Sequence, residues 1–178
     1  MASAAPATPC RHSTVALYGV KRPEIAPVNA PVRADAAPNL DDFPYRLSDN
    51  VRYADLDPNG HVNNAVYATY FETGRVTLMK DRSLGLTPPG LNWIMVRLDT
   101  HFRAELHWPG AIELGFGIAK FGRTSITSDQ VVFSQGRCVA SAQAVNVLID
   151  DATRKPVPLP DELKAKLRPW LRRGHDAT

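Results

Sequence analysis

From Pro44 onward the hydrophobic positions settle into two alternating periods. Tyr45, Leu47, Val51 and Tyr53 recur at spacings near two, which predicts a strand ending at the polar run 54–61. The period then changes. Val66, Tyr67, Tyr70, Phe71, Gly74, Leu78 and Met79 fall at spacings of three and four, the repeat of one helix face. Asn63 or Asn64 is available as N-cap and Gly85 as the C-terminal stop, so the pattern predicts one helix from Asn64 to about Ser83. Such a helix of about 19 residues is roughly 28 Å long.

Past the breaker Pro88-Pro89-Gly90, Ile94, Val96, Leu98, Thr100, Phe102 and Ala104 alternate with Met95, Arg97, Asp99, His101 and Arg103, predicting a long half-buried strand. Pro109-Gly110 turns the chain, and Ile112, Leu114, Phe116 and Ile118 repeat the alternation. Gly122 turns it again into Ser125 to Ser134, and Gln135-Gly136 closes a further hairpin. The last strand, Arg137 to Ile149, has small residues at Cys138, Ala140, Ala142 and Ala144, a face on which a bulky helix can lie close. Pro160-Asp161-Glu162 then opens a short basic helix. One strand, one helix and four strands with tight connections require antiparallel pairing, because a parallel pair needs a crossover of a dozen or more residues. The expected class is α+β, with the helix burying its apolar stripe on the sheet. There is no internal repeat.

Residues before Pro44 lack this order. Six prolines and many alanines between Pro6 and Pro38 read as an N-terminal tail over 1–40, followed by a domain over 41–165 and a basic tail over 166–178. The opening Met1-Ala2-Ser3-Ala4-Ala5-Pro6, with no acidic residue before Glu24, also has the composition of an organelle transit peptide. The chain of 178 residues is 44% hydrophobic and 22% charged, which excludes a wholly disordered chain and a fibre. Its net charge is +3. Residues 41–158 carry 12 basic and 13 acidic side chains, so the basic excess lies at the two ends and no phosphate-reading stripe crosses the middle. No nucleic-acid partner is expected. The two cysteines, Cys10 and Cys138, have no metal-ligand spacing and make no disulfide framework. No window approaches the roughly 18 apolar residues of a membrane span, so a cytoplasmic chain without membrane attachment is expected.

The densest polar cluster is Arg52-Tyr53-Ala54-Asp55-Leu56-Asp57-Pro58-Asn59-Gly60-His61-Val62-Asn63-Asn64, leading directly into the helix. Unpaired N–H groups and the positive end of the helix dipole can hold an oxyanion, and a nearby carboxylate can attack a carbonyl or activate water. Asp, Asn and Gly also gather in capped loops that do no chemistry, and composition alone leaves both readings open.

The motif Tyr53-x-Asp55-x-Asp57-x-x-Gly60-His61-Val62-Asn63-Asn64-x-x-Tyr67-x-x-Tyr70-Phe71-Glu72-x-x-Arg75 resembles the signature of single-domain hotdog-fold thioesterases, the 4-hydroxybenzoyl-CoA and YbgC-like group. The resemblance continues through Phe102-Arg103, Gly122-Arg123-Thr124-Ser125 and Lys155-Pro156-Val157-Pro158-Leu159-Pro160, over about residues 45 to 165. It implies an antiparallel sheet of about five strands wrapped around one long central helix, and hydrolysis of an acyl-CoA or acyl carrier protein thioester. It implies Asp57 as catalytic nucleophile or general base and the backbone N–H of Asn64 as oxyanion donor. The group usually has Tyr or His at position 64, so this chain departs from it there. The His-Val-Asn-Asn form is similar instead to acyl-ACP thioesterases, whose Asp-x-Asn-x-His matches Asp57, Asn59 and His61. Those enzymes also carry a downstream Glu-Cys; here Glu105 stands at the Glu and Leu106 replaces the Cys.

A thioester has an electrophilic carbonyl and a good leaving group, so an oriented carboxylate or water with oxyanion stabilisation suffices, and neither metal nor cofactor is expected. Asp55 reads as structural. Tyr67 is expected to line an acyl pocket or the core; Glu72 and Arg75, three apart on the helix, are expected to pair. Arg97, Arg103 and Arg123 are candidates for a coenzyme A phosphate. The resemblance further implies a homodimer or dimer of dimers with the site at a subunit interface. A hotdog enoyl-CoA hydratase has the Asp and His but a Pro placed differently, and a non-catalytic acyl-CoA-binding module is the remaining alternative.

Overall fold

The computed structural model describes residues 38–174, so most of the expected tail 1–40 lies outside the described residues. Five strands form one antiparallel sheet: β1 (Tyr45–Asn50), β2 (Leu91–Phe102), β3 (Ala111–Phe121), β4 (Ser125–Ser134) and β5 (Arg137–Asp150), in the order β1-β3-β4-β5-β2. Two helices accompany it, α1 (Val66–Met79) and α2 (Asp161–Leu167). The hairpins β3-β4 and β4-β5 follow from Gly122 and from Gln135-Gly136, both of which have positive φ in the second turn. β1 and β2 are opposite edges, so the chain between them must cross the whole sheet. Four strand spacings amount to ~19 Å, within the ~21 Å of a 14-residue helix.

α1 is shorter than its hydrophobic pattern predicts. It begins two residues after Asn64 and stops at Met79 because Asp81 Oδ1 accepts from the N–H and hydroxyl of Ser83, at 2.8 and 2.6 Å, and turns the chain before Gly85 is reached. Its buried side lies against the sheet: Tyr67, Tyr70 and Phe71 pack with Ile112, Leu114, Val132, Ala140 and Ala142. Leu78 and Met79 join Phe116, Ile118, Ile126 and Leu148 together with Leu163 and Leu167 of α2. A third, smaller cluster holds Phe43, Val131, Phe133 and Cys138.

That last residue corrects an expectation. The β4–β5 register shifts so that Phe133 faces Cys138 while Val132 faces Ala140, which leaves Val139 as an extra residue and separates Cys138 from the alanine face. A second bulge, between Met95 and Arg97, breaks the alternation predicted for β2 and leaves Val96 exposed at 61%. β1 ends at Asn50, and Tyr53–Asp55 is a single 3-10 turn rather than strand. Glu72 and Arg75 do not form the expected ion pair: Arg75 is buried, with one guanidinium nitrogen unpartnered. Residues 166–174, read as a tail, are held down. Leu167 is buried, Trp170 stacks edge-on to Tyr45, and Arg172 donates its N–H to the Ile118 carbonyl at 2.8 Å. Among the described residues no helix is long and apolar enough to cross a membrane.

Candidate active site

Between β1 and α1 the chain makes a small closed loop. Leu56 and Val62 pair as an isolated antiparallel bridge, the Asp57 N–H donates to the His61 carbonyl at 2.8 Å, and the Gly60 N–H to the Asp57 carbonyl at 3.0 Å. Gly60 sits at φ +81°, where a side chain is disfavoured. Asp57 is the hub of the loop: its Oδ1 accepts from the Asn59 N–H at 2.8 Å and, more weakly, from the His61 N–H at 3.4 Å. These donors, the Asn59 N–H first, favour the ionised form and hold the carboxyl below the usual carboxylate range.

Asp55 turns the other way. Its buried carboxylate accepts from the Arg52 N–H at 2.7 Å and from the Tyr70 hydroxyl at 2.5 Å, and its carbonyl accepts from the Asn63 N–H at 2.9 Å. The loop is thereby tied at both ends to the first part of α1. Burial and the adjoining Asp55 carboxylate push the Tyr70 hydroxyl far above its usual value, so it stays a donor. Asn63 Oδ1 accepts from the Ala65 N–H at 2.9 Å and its carbonyl from the Val66 N–H at 2.9 Å. The Asn64 N–H meets no acceptor among the described residues.

A cavity of about 410 Å³ opens beside this loop. Asp57, His61, Asn64 and Tyr67 line one wall, and residues 102–106 the other. The far wall is fixed by backbone bonds: the bulged Val139 carbonyl accepts from the N–H groups of Arg103 and Ala104 at 2.8 and 3.1 Å, and the Leu106 carbonyl accepts from the Val62 N–H at 2.8 Å. Tyr67 is buried edge-on to Phe102, with ring centroids 5.2 Å apart, and its hydroxyl pKa is raised by burial. Arg103 reaches back to Ser141 Oγ at 2.9 Å. At the rim His61, Glu105 and His107 come together, the two rings 4.9 Å apart. A larger cleft of about 670 Å³ lies between the end of α1 and α2, but Lys80, Thr87, Glu162 and Lys166 on its walls offer no comparable constellation. Chemistry, not size, selects the smaller cavity.

The fold thus gathers Asp57, His61, Asn64, Tyr67 and Arg103, which are spread over 47 positions of the sequence. Asn59 is exposed beside Asp57 and binds its carboxylate. Arg97 lies on the exposed stretch of β2, ion-paired with Asp99, and Arg123 lies in the β3–β4 turn with its carbonyl held by the Leu159 N–H. Neither reaches this cavity. His107 was not signalled by any motif, since tertiary contacts such as that of Val62 with Leu106 bring its segment to the loop.

Residues 51–167 match the sequence profile of the thioesterase-like superfamily. The chain belongs to that superfamily. A search of curated protein sequences found no match. Among solved structures, the PA5185 protein from Pseudomonas aeruginosa strain PAO1 superposes with a TM-score of 0.70 at 25% identity, over 80% of this chain and 99% of that one. A Thermus thermophilus thioesterase solved with coenzyme A and zinc gives 0.64 at 27% identity, over 71% and 98%. YbaW, a probable thioesterase of Escherichia coli, gives 0.64 at 25%, over 72% and 99%. The described unit is therefore a five-stranded antiparallel member of the hotdog-fold thioesterases.

Proposed function

We propose that this thioesterase-superfamily chain hydrolyses an acyl-CoA to free acid and coenzyme A at the cavity beside α1. The observation that carries the reading is the ionised Asp57 carboxylate lining the same cavity as Asn64, whose N–H has no acceptor among the described residues. The Thermus relative solved with coenzyme A supports the carrier, and Arg103 is the cation at the cavity suited to its phosphates.

In this mechanism the thioester carbonyl oxygen points at the Asn64 N–H, which stabilises negative charge as the carbonyl carbon is attacked. Asp57 either attacks that carbon itself, expelling the thiolate and leaving an acyl anhydride that water hydrolyses, or takes a proton from the attacking water. Asn59 holds the carboxylate in place, and His61 closes the rim. Tyr67, Phe102 and Leu106 supply the apolar wall for the acyl chain. In the complete hotdog arrangement α1 is the central helix. The working unit is a homodimer: β2 is a 12-residue edge strand with Met95, Val96 and Phe102 exposed, an unpaired edge suited to a second copy.

The test is a panel of acyl-CoA and acyl carrier protein thioesters read by free-thiol release. Thiol release lost in Asp57→Ala is the expected result. Loss of an enoyl chromophore without thiol release, or binding without turnover across the panel, overturns it.

A further inference from the structure

The hydrolysis proposed above leaves His107 and Glu105 without a task. His61 comes from the loop before α1, and Glu105 and His107 from the segment between β2 and β3. Glu105 Oε2 lies 3.7 Å from His61 Nε2 and 3.6 Å from His107 Nε2, and the three residues each offer one ring nitrogen or carboxylate oxygen within 4.8 Å of the other two. The two carboxylate–imidazole separations are too long for hydrogen bonds. They lie close to the ~3.4 Å edge of a tetrahedron whose corners sit at zinc–nitrogen and zinc–oxygen bond lengths from its centre.

Two features hold these groups ready. The Val62 N–H to Leu106 carbonyl bond, at 2.8 Å, locks together the immediate neighbours of all three residues. His107 Nδ1 lies 3.4 Å from the Gly60 carbonyl, and a proton assigned to Nδ1 points there and frees the Nε2 lone pair on the side of Glu105. Histidine ligands are commonly oriented by such a bond from the other ring nitrogen to a carbonyl.

We propose that His61, Glu105 and His107 bind a divalent ion of the zinc type, with a fourth position open to water. Two imidazole nitrogens and one carboxylate oxygen suit Zn²⁺ and not Mg²⁺ or Ca²⁺, which take oxygen ligands. Hydrolysis by Asp57 needs no metal. Instead the ion fixes His61 and Glu105 at the rim of the cavity they line and narrows access to Asp57, so Zn²⁺ slows thioester hydrolysis. Only this last consequence rests on the thioesterase reading.

The full chain, stripped by a chelator, is titrated with Zn²⁺ by calorimetry and with Co²⁺ by visible absorption. Expected are one ion per chain, the intense visible bands of tetrahedral Co²⁺, and affinity falling ~10-fold or more in both His107→Ala and Glu105→Gln, with far-ultraviolet circular dichroism unchanged. No Zn²⁺ uptake in the micromolar range overturns the proposal, as does uptake that both variants retain. Zn²⁺ inhibiting the wild type but not His107→Ala supports it. Zn²⁺ bound as described by a protein that hydrolyses no thioester supports the site and overturns the function proposed above.

Discussion

Asp55 and Asp57 stand two residues apart, and the chain between them sends one carboxylate under α1 and the other to the cavity. Their substitutions separate accordingly. Tyr70→Phe removes a charge-assisted hydrogen bond to Asp55 from a fully buried position and is expected to cost about 2 kcal/mol in urea unfolding. Asp57→Asn is expected to lower kcat ~100-fold or more, with the urea midpoint little changed, because the carboxylate is at the surface of the cavity. The same carboxylate sets the acid limb of the rate. Its pKa is depressed, so the ionised form that attacks or accepts a proton persists as pH falls. kcat/KM should therefore hold its plateau down through about pH 4, the ordinary carboxylate value, and fall only below it. A loss of rate already well above about pH 4 in the pH–rate profile would take this role from Asp57. Asp57, Asn59, His61 and Asn64 were legible in the sequence because they lie within eight residues, where spacing alone dictates proximity. His107 was not, since nothing local relates it to position 61.

At the scale of elements, the two periods in the hydrophobic pattern found α1 and every strand, and failed at the bulges of β2 and β5. Val96 and Val139 each add one residue to a strand, and each inverts the alternation beyond it. The Val139 bulge is also useful, since its carbonyl anchors Arg103 and Ala104 and so shapes the cavity wall. β3 is buried continuously from Leu114 to Ala119 because both its faces are covered. Gly115 there is closely packed: a Cβ would meet Val131 Cγ2 at 2.6 Å and Phe43 Cβ at 3.0 Å. Gly115→Ala is expected to destabilise by ~1–3 kcal/mol through overpacking, read as a lower midpoint in thermal unfolding.

At the scale of the molecule, β1 and β2 are the two edges of the sheet, and β2, with 12 residues against six, is the longer. A lysine on the exposed bulge, Val96→Lys, is expected to shift the proposed dimer to monomer in sedimentation velocity and to lower thioester hydrolysis with it. The order of elements, the antiparallel pairing and the reactive loop were determined by the sequence itself, because period, turn residues and short connections act over a few neighbouring positions. Tertiary structure decided which strands became edges, that Arg97 and Arg123 fall outside the cavity while Arg103 borders it, and that Leu106 pairs with Val62. Those outcomes depend on register and bulges between segments some 40 residues apart, and a one-residue slip in either moves a side chain to the opposite face.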